Sequence, residues 1–169
     1  MKKLAITLFL LVFVTACFES HRQGSKTDDF KRMRIKTVRG DILIEFYPKQ
    51  APVTVKRIKE LVSEGFYSGL TFHRVIPGFV AQGGDPNGDG TGGSGVKIKA
   101  EFSQLKHKLG TVAMARAQSI HSADSQFYIV LGELPHLDGQ YTIFGKVLEG
   151  IENVKKIKQG DQMITVTLE

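Results

Sequence analysis

Apolar and polar residues alternate in two neighbouring segments of the chain, 33–38 and 42–47. A period of two places every second side chain on the same face of a β-strand. The sequence Arg39-Gly40-Asp41 between them is a turn signal, and although it also spells an integrin-binding tripeptide, turn chemistry explains it more simply. The pattern predicts a β-hairpin whose buried face carries Met33, Ile35, Thr37, Ile42, Ile44 and Phe46.

The spacing becomes helical between Pro52 and Glu64. Proline suits the first turn of a helix, and the following Gly65 suits its C-terminal end. Intervals of three and four residues place the apolar side chains on one stripe, as in a helix that packs on a core. That stripe consists of Val55, Ile58, Leu61 and Val62.

The rest of the chain carries short apolar runs separated by glycine-rich segments, which is typical of a mostly-β barrel or sandwich. We expect a second short helix near 151–158 and a closing strand at 164–168. The other predicted strands are 71–76, 79–82, 96–102, 111–115, 127–131 and 142–147.

The first residues have the layout of a secretory signal peptide: Lys2 and Lys3, then an apolar run too short to span a bilayer comfortably. The run ends in VTAC, which resembles the lipobox of bacterial lipoproteins. We therefore expect a leader at 1–16, and a lipidated Cys17 that begins a flexible tether at 17–32. The globular domain then covers 33–169. An uncleaved N-terminal anchor is the alternative.

Composition narrows the possible classes of protein. With 169 residues, 41% hydrophobic and 24% charged, the chain is an ordinary globular one, not disordered, fibrous or multi-span. Loss of Lys2 and Lys3 leaves 21 basic residues of the original 23 against 17 acidic ones, so the formal charge falls from +6 to +4. The basic residues are dispersed, and we expect no nucleic-acid partner. A single cysteine excludes an internal disulfide framework.

The glycine-rich segment 83–95 contains two weak motif matches. Gly90, Gly92 and Gly95 fit a dinucleotide fingerprint, but a strand-like segment follows where a helix is needed. The segment from Asp85 opens like a calcium loop but lacks the acidic residue at its twelfth position. The histidines show no metal-ligand spacing. We expect a surface loop here, with no metal and no cofactor.

Four blocks of sequence are more specific. They are FHRVIPGFVAQGGDP at 72–86, MARA at 114–117, SQFYI at 125–129 and LDGQYTIFGKV at 137–147. In this order and spacing they resemble the cyclophilin family of peptidyl-prolyl cis–trans isomerases, in its bacterial branch. The resemblance implies a closed eight-stranded antiparallel β-barrel capped by two α-helices. It also implies a ligand site on the outside of the barrel, because side chains fill the interior.

The resemblance also implies roles for individual residues. Arg74 is the expected catalytic residue, and His73 beside it is expected to support the site by hydrogen bonding. Val75 and Ile76 are expected in the core. The substrate-binding residues are expected to be Phe79, Val80, Gln82, Ala115, Arg116, Ala117, Tyr128, Leu137 and Tyr141.

Three positions depart from the usual family pattern. Tyr128 stands where Phe is common, so its hydroxyl needs a partner or water. Val80 is smaller than the common Met and widens that wall. His136 stands where cyclosporin-sensitive relatives have Trp, and we therefore expect weak cyclosporin binding.

We consider two functions. The favoured one is a monomeric prolyl isomerase that assists the folding of exported proteins, with proline-containing unfolded or extended polypeptides as partners. The alternative is a membrane-anchored proline-peptide-binding module or surface adhesin with little catalysis. In either case we expect Cys17 to attach the chain to a membrane in the cell envelope, at the periplasmic face of the outer or inner membrane or at the cell surface.

Overall fold

The computed structural model describes residues 29–169. The predicted leader, Cys17 and most of the predicted tether lie outside the described residues. Within that part, no helix has the length and apolarity needed to cross a membrane. Its elements are β1 (Arg32–Thr37), β2 (Gly40–Phe46), α1 (Pro52–Ser63), β3 (Arg74–Ile76), β4 (Val80–Gly83), β5 (Thr111–Met114), β6 (Phe127–Val130), a 3₁₀ helix (Pro135–Leu137), β7 (Ile143–Glu149), α2 (Ile151–Lys155) and β8 (Met163–Leu168).

The eight strands form one antiparallel sheet in the order β3-β4-β6-β5-β7-β2-β1-β8, curled into a half-barrel. The expected closed barrel is wrong, because β3 and β8 are the two ends of this order and do not pair as strands. Strand β3 has only three residues. The ends approach through the preceding loops instead, where Thr71 forms an isolated bridge with Gln162 and the Phe72 N–H donates to the Asp161 carbonyl at 2.9 Å.

The predicted β-hairpin is confirmed, with Met33 opposite Ile44 and Ile35 opposite Ile42 in the register of β1 and β2. The six residues of its predicted inner face are all buried. Gly40 takes a φ of 113°, in the region that favours glycine. At the turn, the Arg39 guanidinium donates two hydrogen bonds to the Asp161 carboxylate, at 2.7 and 3.0 Å. Arg39 therefore forms an ion pair within the protein.

Helix α1 is confirmed, and its N-terminus is held by a carboxylate distant in sequence. Glu101 accepts hydrogen bonds from the backbone N–H groups of Val53 and Thr54, at 3.0 and 2.9 Å. These are donors that a helix leaves without intrahelical partners. The Thr54 hydroxyl donates to the same carboxylate at 2.7 Å.

Two predictions about apolar segments are wrong. Segment 96–102 is not a strand, since it forms only an isolated bridge between Ile98 and Ala123. Its other apolar side chains are turned outward, with Val96 51% and Phe102 41% exposed. Ile76, expected in the core, is 40% exposed, because it lies on edge strand β3.

The central strands bury both faces, which is what places a second apolar cluster on the outside of the half-barrel. Along β6, Phe127 and Ile129 belong to the interior core, whereas Tyr128 and Val130 belong to the outer cluster. The alternation follows from the two-residue period of a strand. The other buried members of the outer cluster are Val80, Ala113, Leu134 and Ile143.

Candidate active site

A cavity of about 160 Å³ opens on the outer cluster. Strands β3, β4 and β6, the 3₁₀ helix and the segments that follow β5 and precede β7 supply its walls. Nine of the ten catalytic and substrate-binding residues predicted from the sequence line it. These are Arg74, Phe79, Val80, Gln82, Ala115, Arg116, Tyr128, Leu137 and Tyr141.

Arg74 is held at the rim of this cavity by its strand neighbour. In the register of β3 and β4 it lies opposite Gln82, and its Nη1 donates to Gln82 Oε1 at 3.3 Å. The Gln82 amide nitrogen in turn donates to Gln126 Oε1 at 2.9 Å. Gln126 then donates to the carbonyls of Gly90 and Gly92, at 3.0 and 2.8 Å. The guanidinium is therefore anchored through two amides to the glycine-rich loop.

The Arg74 guanidinium also lies over an aromatic ring. Its Cζ is 5.6 Å from the Phe79 ring centroid, within the range of a cation–π interaction. The ring of His136 stacks on Phe79, with centroids 6.1 Å apart and an interplanar angle of 4°. Phe79 is thus fixed between the 3₁₀ helix and the arginine, and an always-charged donor stands directly beside an apolar wall.

The floor of the cavity is aromatic. Tyr128 is 5% exposed, and its ring packs edge-on against Tyr141 with centroids 5.9 Å apart. Burial raises the pKa of the Tyr128 hydroxyl, which stays protonated. Val80 and Leu137 supply aliphatic walls. The result is a small apolar socket with hydrogen-bond donors at one edge.

The Tyr128 hydroxyl has a buried partner, as the sequence required. It lies 3.1 Å from His107 Nε2, and His107 Nδ1 lies 3.1 Å from Asp138 Oδ1. Burial lowers the pKa of His107. The His107 backbone N–H donates to Asp138 at 2.8 Å, and mainly this bond, with help from the Lys106 ammonium, lowers the pKa of Asp138 to about 2.

The predicted peptide-binding segment borders a second, adjoining cavity of about 200 Å³. Ala115 and Arg116 line both cavities, whereas Ala117 lines only the second. The Arg116 guanidinium lies over the Tyr141 ring, with Cζ 4.7 Å from its centroid. The Ala115 N–H already donates to the Gln126 carbonyl at 2.9 Å, so this group is not a donor for a bound peptide.

The hydrogen bonds expected of His73 are not formed. Both of its ring nitrogens are buried, and neither has a hydrogen-bond partner among residues 29–169. Burial lowers the pKa of this imidazole. His73 packs beside Arg74 as a mostly neutral ring.

Comparison with known proteins assigns the chain to a family. The family model described as cyclophilin type peptidyl-prolyl cis-trans isomerase/CLD matches residues 32–167. The chain belongs to this family. The enzyme therefore catalyses cis–trans isomerisation of the peptide bond before proline, a rotation opposed by the partial double bond of the amide.

Bacterial relatives agree with this assignment. A peptidyl-prolyl cis-trans isomerase of Helicobacter pylori is 51% identical over 131 residues, covering 75% of this chain and 80% of that protein. Peptidyl-prolyl cis-trans isomerase B of Bacillus subtilis is 50% identical over 130 residues, covering 76% and 90%.

A solved structure shows the same fold. The cyclophilin type isomerase of Cryptosporidium parvum superposes with a TM-score of 0.77 at 32% identity, covering 83% of this chain and 98% of that one. The same protein, solved in the presence of the dipeptide Ala-Pro, gives a TM-score of 0.76.

Sequence reasoning missed three residues of this cyclophilin's site: Gln126, His107 and Asp138. Gln126 lies within the SQFYI block, where the sequence alone does not distinguish it from its neighbours. His107 is buried and polar, which is rare enough to signal a partner, but the sequence does not show that it is buried. Within residues 29–169, no group of three His, Cys, Asp or Glu side chains could hold a metal ion.

Proposed function

We propose that the enzyme acts by binding the proline ring in the apolar socket and the twisted amide beside Arg74. The observation that carries this proposal is the place of the Arg74 guanidinium, over Phe79 and bonded to Gln82, at the socket's polar edge. Rotation about the C–N bond removes its double-bond character and leaves a lone pair on the nitrogen. An N–H donor at that edge stabilises the rotated amide more than either planar form, which lowers the barrier.

This mechanism needs no covalent intermediate. The uncatalysed barrier of ~18–20 kcal/mol comes from amide resonance, so differential hydrogen bonding to the rotated state is sufficient in principle. Gln82 is suited to orienting both Arg74 and the substrate carbonyl, since its amide donates and accepts. All nine residues of the socket come from one chain, so a monomer is sufficient.

We propose Xaa-Pro segments of unfolded or extended polypeptides as substrates. The size of the socket, about 160 Å³, supports this, and so does the related structure obtained in the presence of Ala-Pro. The test is a titration of the isotope-labelled enzyme with an Ala-Pro peptide and with the matched Ala-Ala peptide. Resonances of Phe79 and Tyr128 are expected to shift with the first peptide only; equal shifts with both would contradict the proposal.

We also propose that the enzyme is a lipoprotein of the cell envelope that assists exported proteins. The support is the leader-like segment 1–16 followed by Cys17, the only cysteine. Labelling with radioactive palmitate is expected to mark the wild type in the membrane fraction, and Cys17→Ser is expected to lose the label. A labelled Cys17→Ser variant would contradict this proposal. We expect the labelled protein at the periplasmic face of the outer or inner membrane, or at the cell surface.

A further inference from the structure

His107 connects three parts of the socket that are distant in sequence. It is 2% exposed and lies directly under the aromatic floor. Its Nε2 meets the Tyr128 hydroxyl at 3.1 Å, and its ring packs edge-on against Tyr141 with centroids 6.3 Å apart. Its main chain also holds the wall: the Leu134 N–H donates to the His107 carbonyl at 2.8 Å, just before the 3₁₀ helix.

Asp138 determines which ring nitrogen of His107 carries the proton. The Asp138 Oδ1 atom accepts a hydrogen bond from the His107 backbone N–H at 2.8 Å and lies 3.1 Å from His107 Nδ1. The other carboxylate oxygen, Oδ2, pairs with the Lys106 ammonium at 3.2 Å. An ionised carboxylate only accepts hydrogen bonds, so Nδ1 must be the protonated nitrogen. Nε2 of a neutral imidazole is then an acceptor, and the Tyr128 hydroxyl must donate to it.

Asp138 also directly follows Leu137, which forms a wall of the socket. The chain Asp138–His107–Tyr128 therefore joins the wall at Leu137 to the floor at Tyr128. Each of the three side chains is hydrogen-bonded to the next one, and these bonds fix their orientations in the buried cluster. None of the hydrogen bonds that join Asp138, His107 and Tyr128 reaches Arg74.

We propose that His107, oriented by Asp138, is a positioning residue that fixes the Tyr128 ring and the Leu137 wall for the proline of the substrate. The inference rests on the proposed socket and adds to it. Because the socket holds the proline in both planar forms and in the rotated form alike, this positioning contributes uniform binding. It therefore acts on KM and leaves kcat unchanged.

The kinetic test compares Tyr128→Phe, His107→Leu and their double variant. Tyr128→Phe removes one hydroxyl and keeps the ring, and we expect KM to rise about threefold to tenfold with kcat within about twofold of the wild type. We expect the double variant to be no worse than His107→Leu alone, since both changes break the same chain. Effects that multiply, or an unchanged KM in Tyr128→Phe, would overturn the proposal.

The matched control is Tyr67→Phe, which removes another buried hydroxyl, one that donates to the Ser125 carbonyl at 2.9 Å outside the socket. We expect it to lower stability but not to change KM. A conservative variant, His107→Gln, offers an amide oxygen to the Tyr128 hydroxyl. We expect its KM to lie between that of His107→Leu and that of the wild type. No recovery, with the variant folded by circular dichroism, would count against the proposal.

A spectroscopic measurement shows directly which nitrogen of His107 carries the proton. The ¹⁵N shifts of the His107 ring are expected to show the proton on Nδ1 in the wild type; a proton on Nε2 would overturn the assignment. Failure of this inference is distinguishable from failure of the proposed function. If the wild type isomerises a proline peptide and Arg74→Ala reduces kcat while Tyr128→Phe changes nothing, only the role of His107 fails.

Discussion

The Arg74 guanidinium lies over the Phe79 ring, with Cζ 5.6 Å from the ring centroid and Nη1 3.3 Å from Gln82 Oε1. This relationship brings a permanent cation with several N–H donors to the edge of an apolar socket. The antiparallel register of β3 and β4 creates it, by placing Arg74 opposite Gln82. The proposed stabilisation of the rotated amide rests on that geometry and requires no ionisation of the enzyme.

We expect Gln126→Leu to reduce kcat/KM about tenfold, because the change removes the amide that connects Gln82 to the carbonyls of Gly90 and Gly92. Steady-state kinetics with a proline peptide measures the effect. The matched control is Gln162→Leu, whose amide donates to the Gly69 carbonyl away from the socket. Equal activities of the two variants would refute the anchoring role of Gln126.

We expect Glu101→Ala to lower the free energy of unfolding by about 1–2 kcal/mol, since it removes the capping carboxylate of helix α1. Urea unfolding followed by circular dichroism gives the value. Glu64→Gln, an exposed acidic residue at the other end of the helix, serves as the control. An unchanged midpoint for Glu101→Ala would show that the cap contributes nothing.

The stability of the enzyme should fall in acid partly through Asp138. Its pKa is lowered to about 2, chiefly by the backbone N–H of His107. A carboxylate with a folded-state pKa below its unfolded value of about 3.9 stabilises the fold above that value and loses this contribution as the pH falls towards its folded pKa.

The urea midpoint of the wild type should therefore drop between about pH 4 and pH 2 more steeply than that of Asp138→Asn. Parallel curves for the wild type and Asp138→Asn would mean that Asp138 contributes no such linkage.

Cyclosporin should inhibit the enzyme only weakly. His136 stacks on Phe79 beside the socket, and the resemblance to the family implies that it takes the position of the Trp of cyclosporin-sensitive relatives. We expect His136→Trp to lower the inhibition constant by about tenfold or more, because the larger indole adds apolar contact area and an N–H donor. Tight inhibition of the wild type at nanomolar drug would contradict this prediction.

The local pattern of the sequence predicts much of the fold, and long-range pairing explains most of what it misses. Strict alternation at Met33, Ile35 and Ile42 correctly predicts the hairpin. A two-residue period places these side chains on one face of each strand, and that face is buried. The same kind of alternation at 96–102 predicts a strand that does not form, since whether a segment pairs depends on a neighbour that it does not specify.

The site shows the same division. The blocks that resemble the family contain nine residues that the structure brings into one cavity. Its supporting contacts join residues that are distant in sequence: His107 is 21 positions from Tyr128 and 31 from Asp138. Glu101 is likewise 47 positions from the Thr54 N–H that it caps. Such contacts are set by topology, which local spacing does not encode. The open edge between β3 and β8 belongs to the same class, because closure depends on pairing between the two ends of the sheet.

The catalytic role of Arg74 is tested by the isomerisation rate of a proline peptide with Arg74→Ala, measured by exchange spectroscopy beside the wild type. We expect kcat to fall about a hundredfold or more, since a donor made available only to the rotated amide is lost. Peptide affinity should stay within about threefold of the wild type, because the socket remains. The control is Arg34→Ala. Arg34 lies on β1, which does not line the socket, and its guanidinium pairs with Glu169, so the rate should stay unchanged. A wild-type rate in Arg74→Ala would contradict the catalytic role of Arg74.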